Sequence, residues 1–171
     1  RFANLALEDK AKASIEGEIR MMGQIFHPGC IQILGACLEL HQATVILELA
    51  EGGSLRERLS PTADIPAEQR LTWTKQLASA LSWLHHRAHP ILHRDIKPHN
   101  VLLDRTGQMA KFCDFGLAMV QQTITTSTTA GRSVSTGLLV GTPLYMAPEL
   151  LLCGKKHSSA SDIWAFGVLL H

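Results

Sequence analysis

Between residues 5 and 26, the apolar side chains Ala11, Ile15, Ile19, Met22 and Phe26 fall within about 80° of arc at about 100° per residue. That periodicity predicts an amphipathic helix. Glu16, Arg20 and Gln24 lie on its far side, whereas Glu18 sits one turn from both Ile15 and Met22, at the margin of the apolar stripe. A carboxylate there has two readings, a solvated helix residue or half of a buried ion pair. His27-Pro28-Gly29 breaks the helix. Two β-rich runs follow, Ile31 to Leu38 and Thr44 to Leu49, and the polar turn Glu39 to Gln42 between them predicts a hairpin.

Glu51-Gly52-Gly53-Ser54 is a flexible connector ending in a helix-capping Ser, and it is the clearest internal boundary. After Pro61 to Pro66 a second helix is expected to run to about His86. Trp73, Leu77, Ala80, Leu81 and Leu84 form its core face, and Thr72, Lys75, Ser79 and Ser82 its outer one. Short apolar runs at Ile91-Leu92, Val101 to Leu103 and Met109 to Phe112 then alternate with polar loops, which predicts short strands presenting loop residues. Residues 121 to 136 are rich in Thr and Ser, with Arg132 their only charge, and read as a surface loop.

The chain has 171 residues, 46% hydrophobic and 18% charged, enough for one core and unlike a disordered composition. Sixteen Lys and Arg balance fifteen Asp and Glu, so charge gives no argument for nucleic acid or an acidic membrane surface as partner. Cys30, Cys37, Cys113 and Cys153 lie too far apart for a metal knuckle and are too few for a disulfide scaffold, which points to a reducing, cytoplasmic setting. The longest apolar run, Ile163 to Leu170, is far shorter than the roughly 18 residues of a membrane span. The opening at Arg1 and the uncapped apolar run ending at His171 lead to the expectation that both ends are cut.

Three strings carry chemistry: His93-Arg94-Asp95 followed by Asn100, Asp114-Phe115-Gly116, and Ala147-Pro148-Glu149. One such triplet arises by chance about once in 10^4 windows, so it is their order together that is specific. With them the chain resembles the eukaryotic protein kinase catalytic domain. The likeness extends to Glu18 before His27-Pro28, to the connector at residues 51–54, to Gly141-Thr142-Pro143-Leu144-Tyr145-Met146 and to Asp162-Ile163-Trp164-Ala165-Phe166-Gly167. Lys97 and Gly141-Thr142-Pro143 are similar to the serine/threonine type. Leu34-Gly35-Ala36-Cys37-Leu38 and the Tyr-Met-Ala-Pro-Glu string resemble its tyrosine-kinase-like branch.

The resemblance implies an α+β, two-lobed fold, with residues 1–47 a remnant of the upper lobe, 48–54 the hinge and 55–171 an incomplete lower lobe. It implies ATP and Mg2+ as cofactors and a protein as substrate. Phosphoryl transfer asks an enzyme mainly to position reactants and neutralise spreading charge. By resemblance, Asp114 and Asn100 hold the metal with hard oxygen donors, Asp95 orients the substrate hydroxyl and accepts its proton, and Lys97 offers an ammonium to the transferring group. Glu18 is the helix carboxylate that pairs with a strand Lys. The backbones of Glu48 and Ala50 meet adenine, Leu47 is the gatekeeper, Ser54 lies near the ribose and Leu102 under the base. Met22, Ile33, His93 and Phe115 would stack between the helix carrying Glu18 and the catalytic loop. Arg94, Thr142, Thr128 and Thr129 are the regulatory candidates, a phosphate on the Thr-rich loop suiting the Arg94 fork.

Other readings stand beside these. Asp95 and Asp114 taken singly are loop-capping residues, and Asp162 either caps the final helix or braces the catalytic loop. The histidines at 85, 86, 89 and 93 suggest a metal cluster, but no carboxylate-plus-His spacing completes a tetrahedral set. Cys113 is either a reactive thiol or a buried, inert one. The Gly-rich loop and strand Lys of the pattern are not in the chain. The resemblance therefore implies that the isolated segment is inactive, with Glu149 unpaired and apolar surface exposed. A pseudokinase or scaffold and a tyrosine kinase are the alternatives to a serine/threonine kinase.

Overall fold

Among the described residues the strands pair two by two, so the long helix, rather than any one sheet, organises the core. In the computed structural model the described residues are 16–17, 19–39, 42–60, 62–115, 119–120, 142–153 and 155–171. Glu18, Gly116, Thr128, Thr129 and the Thr-rich loop at 121–136 lie outside them. Residues 19–22 are helical, and the helix tightens as it ends: Gln24 and Ile25 donate to the carbonyls of Met21 and Met22, three residues back, at 3.0 Å each. The tighter turn changes the phase. Met21 and Ile25 are buried and Met22 packs partly against the core, whereas Phe26, expected in the apolar stripe, is 82% exposed.

Strand β1 (Ile33–Glu39) runs antiparallel to β2 (Gln42–Leu47), with a register shift between Ile33 and Gly35. The expected hairpin therefore forms, but its first strand begins two residues late. Ile31 is engaged elsewhere, its N–H donating to the Phe112 carbonyl at 2.8 Å, while Phe112 donates to Gly29 at 2.9 Å.

The connector 51–54 is held against a neighbouring strand. Gly52 donates to Leu103 at 3.0 Å, and a Cβ at Gly52 would lie 2.2 Å from the Asp104 carbonyl oxygen, so only glycine fits. Ser54 caps helix α1 (Leu55–Arg58) through a reciprocal pair: Glu57 N–H donates to Ser54 Oγ at 3.2 Å and Ser54 N–H to Glu57 Oε2 at 2.8 Å.

Helix α2 (Ala67–His85) buries Trp73, Leu77, Ala80, Leu81 and Leu84, the face its periodicity predicts. Its polar residues grip the hairpin of β4 (Val101–Leu103) and β5 (Ala110–Phe112). Trp73 Nε1 donates to the Gly107 carbonyl at 2.9 Å, and Gln76 Oε1 accepts from Ala110 N–H at 2.8 Å. Strand β3 (Ile91–Leu92) pairs with β6 (Met119–Val120). Three-residue 3-10 turns follow at Pro98–Asn100 and Pro143–Tyr145, then helices α3 (Pro148–Cys153) and α4 (Ser159–Leu170).

One alternative at α4 falls away. Ser158 caps it, its side chain accepting from Ser161 N–H, so Asp162 is not the cap. Ile163 and Trp164 stand about half exposed on this helix, as do Leu151 on α3 and Leu170 at the end of α4. No described helix is long and apolar enough to cross a membrane.

Candidate active site

The loop between β3 and β4 is held by a carboxylate far away in sequence. Asp162, 1% exposed, accepts from His93 N–H through Oδ2 and from Arg94 N–H through Oδ1, at 2.9 Å each. His85 Nε2 donates to Oδ2 at 2.9 Å. Those bonds hold a turn that is costly for a side-chain-bearing residue, since Arg94 has φ 67°. Asp162 is therefore the loop's brace.

The turn delivers Asp95 into a cluster of donors. Asp95 Oδ2 accepts from Lys97 Nζ at 2.6 Å and from Asn100 Nδ2 at 2.8 Å, and Oδ1 accepts from the Thr142 hydroxyl at 2.8 Å. Lys97 also donates to Thr142 Oγ1 at 2.9 Å. Burial pushes the Asp95 carboxyl up, but the bonds from Lys97, Thr142 and Asn100 outweigh it and hold the group below the usual carboxylate range. An ionised, oriented carboxylate results. A small cleft opens beside it, lined by Arg94, Asp95, Thr142, Met146, Leu150 and Ser161 among others.

Asp114 follows the end of β5, where the chain meets this loop. Its neighbour Cys113 donates N–H to the Asn100 carbonyl at 3.0 Å, which ties the end of β5 to the loop. Asp114 is exposed and takes φ 58°, a second left-handed residue flanking the site. Asn100 Nδ2 is committed to Asp95, both to its carbonyl at 2.9 Å and to Oδ2, so the amide oxygen is the atom left for a ligand. An amide oxygen and an exposed carboxylate are both hard-oxygen donors of the kind Mg2+ takes. Cys113 is half-buried, and burial, then the Asp114 charge, pushes its thiol up to about 11, so it stays protonated at neutral pH and the inert reading holds.

His93 lies under the loop, fully buried, with its ring 5.3 Å from Phe112 and 5.0 Å from Phe115. Its Nε2 must carry the proton, because it faces the Cys113 carbonyl at 3.1 Å; Nδ1 is buried with no hydrogen-bond partner among the described residues. Burial pushes this imidazole below its ordinary pKa. The unfolded chain binds a proton at His93 below about pH 6.5 and the folded chain resists it, so stability is full above that pH and falls beneath it. Protonation of half-buried His27, lowered by burial as well, adds in the same direction. Urea unfolding midpoints are expected to be flat from pH 8 to 7 and to fall between pH 6.5 and 5. A His93→Phe chain should show a shallower fall, and an equal slope would remove His93 from the account.

The residues expected to form the hinge are joined to β4 through Gly52 and Ser54. Leu102 bridges Ser54 in antiparallel fashion and is half-buried. Leu47 is 41% exposed at the end of β2. Glu48 gives its N–H to the Gln32 carbonyl at 2.8 Å, and among the described residues no backbone N–H outside helices and strands donates to its own carbonyl.

Sequence reasoning assigned Thr142 only a regulatory role, whereas its hydroxyl joins Asp95 to Lys97. His85 and Lys111 were passed over as site residues. Lys111 forms an ion pair with Glu48, and its one local signal is a position between buried Ala110 and Phe112, facing the side of β5 away from the core.

A carboxylate delivered by a braced left-handed turn and bonded to Lys, Thr and Asn is the arrangement expected of a protein kinase catalytic loop. The protein kinase domain family model matches residues 3–171, and the chain belongs to that family. It is 36% identical over 160 residues to mitogen-activated protein kinase kinase kinase 1 of Mus musculus, covering 94% of this chain and 10% of the relative. It is 34% identical over 170 residues to serine/threonine-protein kinase RUNKEL of Arabidopsis thaliana, covering 99% and 12%. To mitogen-activated protein kinase kinase kinase ANP1 of Arabidopsis thaliana it is 35% identical over 168 residues, covering 96% and 24%. The chain thus spans a quarter or less of the length of these relatives. Their names bear on the serine/threonine type and lend no support to the finer tyrosine-kinase-like branch.

Proposed function

We propose that the protein carrying this chain transfers the γ-phosphoryl group of ATP to serine or threonine hydroxyls of a protein substrate. The observation that carries the reading is the convergence of Lys97, Thr142 and Asn100 on Asp95. Asp95 accepts the hydroxyl proton while the hydroxyl oxygen bonds to the γ-phosphorus and the bond to the β–γ bridging oxygen breaks, releasing ADP. Lys97 compensates charge on the group in flight, and Thr142 fixes both side chains. Asp114 and the Asn100 amide oxygen would hold Mg2+, which supplies charge neutralisation along the phosphates.

Residues 48–54 serve as the hinge in this reading, between an upper portion at 1–47 and a lower one at 55–171. The Glu48 carbonyl and the Ala50 N–H meet adenine, Leu47 and Leu102 bound it, and Ser54 lies by the ribose while still capping α1. Glu18 pairs with the strand Lys, Arg94 receives a phosphate placed on Thr128 or Thr129, and the setting is cytoplasmic. The test is transfer of label from γ-labelled Mg-ATP to a generic basic protein by the full-length protein. Mg2+-dependent labelling is expected. Nucleotide binding without transfer would instead mark a scaffold.

A further inference from the structure

We propose that Lys111 is a positioning residue for the nucleotide site, locking through Glu48 the backbone segment that receives adenine. This rests on the reading that ATP binds at residues 48–50.

Glu48 is the first residue after β2, where ladder hydrogen bonds end and the chain would otherwise be free to shift. Its side chain replaces the ladder. Oε2 accepts from Gln32 N–H at 3.2 Å, while Glu48 N–H donates to the Gln32 carbonyl at 2.8 Å, closing a reciprocal pair across the two segments. The other carboxylate oxygen, Oε1, is taken by Lys111 Nζ. One carboxylate therefore ties the hinge at once to the segment before β1 and to β5.

Lys111 is well placed to hold this position. Its strand is fixed on both edges, by register with β4 and by the Phe112 bonds to Gly29 and Ile31. It sits directly opposite Leu102, so the ammonium emerges on the face of the hairpin where the proposed adenine floor lies. The Lys111 side chain is only 16% exposed and that of Glu48 29%, which makes the pair drier than a surface ion pair and the loss of one partner correspondingly costly. Without the ammonium, Glu48 is freed to turn toward water, the Gln32 N–H loses its acceptor, and the carbonyl at 48 loses its fixed direction.

Adenine contacts are the same in the ground and transition states, so the expected signature is in binding and not in the chemical step. In the full-length protein, Lys111→Met is expected to raise the KM for ATP and the Kd for fluorescent ADP by about tenfold each, with kcat within about twofold. Glu48→Gln, nearly isosteric, should give the same loss, and the double variant should be no worse than either single one. Lys111→Arg should recover most of the affinity. Lower kcat at unchanged KM would show Lys111 acting on Asp114 down the strand, and additive losses would show no shared pair; each overturns the proposal. Unchanged Kd in a folded Glu48→Gln protein overturns it alone, leaving the function reading intact, whereas no nucleotide binding by the unsubstituted protein overturns both.

Discussion

Replacing Asp95 by Asn in the full-length protein is expected to lower kcat by about 10^2–10^4 while leaving the Kd for ADP and the melting temperature nearly unchanged. The substitution is close to isosteric. The amide oxygen can occupy the Oδ2 position and go on accepting from Lys97 and Asn100, and the new amide N–H can be received by the Thr142 hydroxyl, an acceptor as well as a donor. What disappears is the negative charge and with it the capacity to take a proton from the substrate hydroxyl. Nucleotide affinity, which by this account comes from the hinge and from the metal held at Asp114, is untouched. Steady-state kinetics against ATP with a generic protein substrate decide the matter, and a kcat within tenfold of the parent would remove Asp95 from its assigned role.

Asp162→Ala acts through the fold and should be the more destructive. Its two carboxylate oxygens satisfy three donors, the backbone N–H groups of His93 and Arg94 and the His85 Nε2, all at 2.9 Å, at a site 1% exposed. Removing it orphans all three and releases the backbone N–H of a left-handed Arg94. The expected destabilisation is about 3–5 kcal/mol, the scale of breaking a buried pair, with loss of activity in whatever protein remains folded. Asp162→Asn keeps one oxygen and turns an amide N–H toward a backbone N–H, so it should cost less, about 1–3 kcal/mol, and still reduce kcat. Urea unfolding gives the first quantity. A loss below about 1 kcal/mol for the Ala variant would mean that the loop holds itself.

The core face of α2 was legible because the helix is long enough for its period to be counted, and Trp73 to Leu84 are buried as the spacing requires. The strands at 91–92 and 101–103 were legible for another reason, being apolar runs framed by polar loops. Phe26 was misplaced because the helix tightens over its last turn, a change of phase that depends on i→i−3 bonds and leaves no mark in the period. The catalytic loop could be named from its motif, but its geometry depends on partners 47 to 69 residues away: Thr142 on Asp95, and Asp162 on the His93 N–H. His85 and Lys111 were illegible in the same way, since each is an ordinary surface-type residue until the fold sets a carboxylate from another element beside it.

The most direct measurement is phosphoamino-acid analysis of a generic protein labelled by the full-length protein with γ-labelled Mg-ATP, run beside its Asp95→Asn variant. Label on serine and threonine with the parent, and almost none with the variant, is the expected result. Label on tyrosine, or equal label with both proteins, would contradict the assignment of Asp95, Lys97 and Thr142 as the centre of a serine/threonine phosphotransferase.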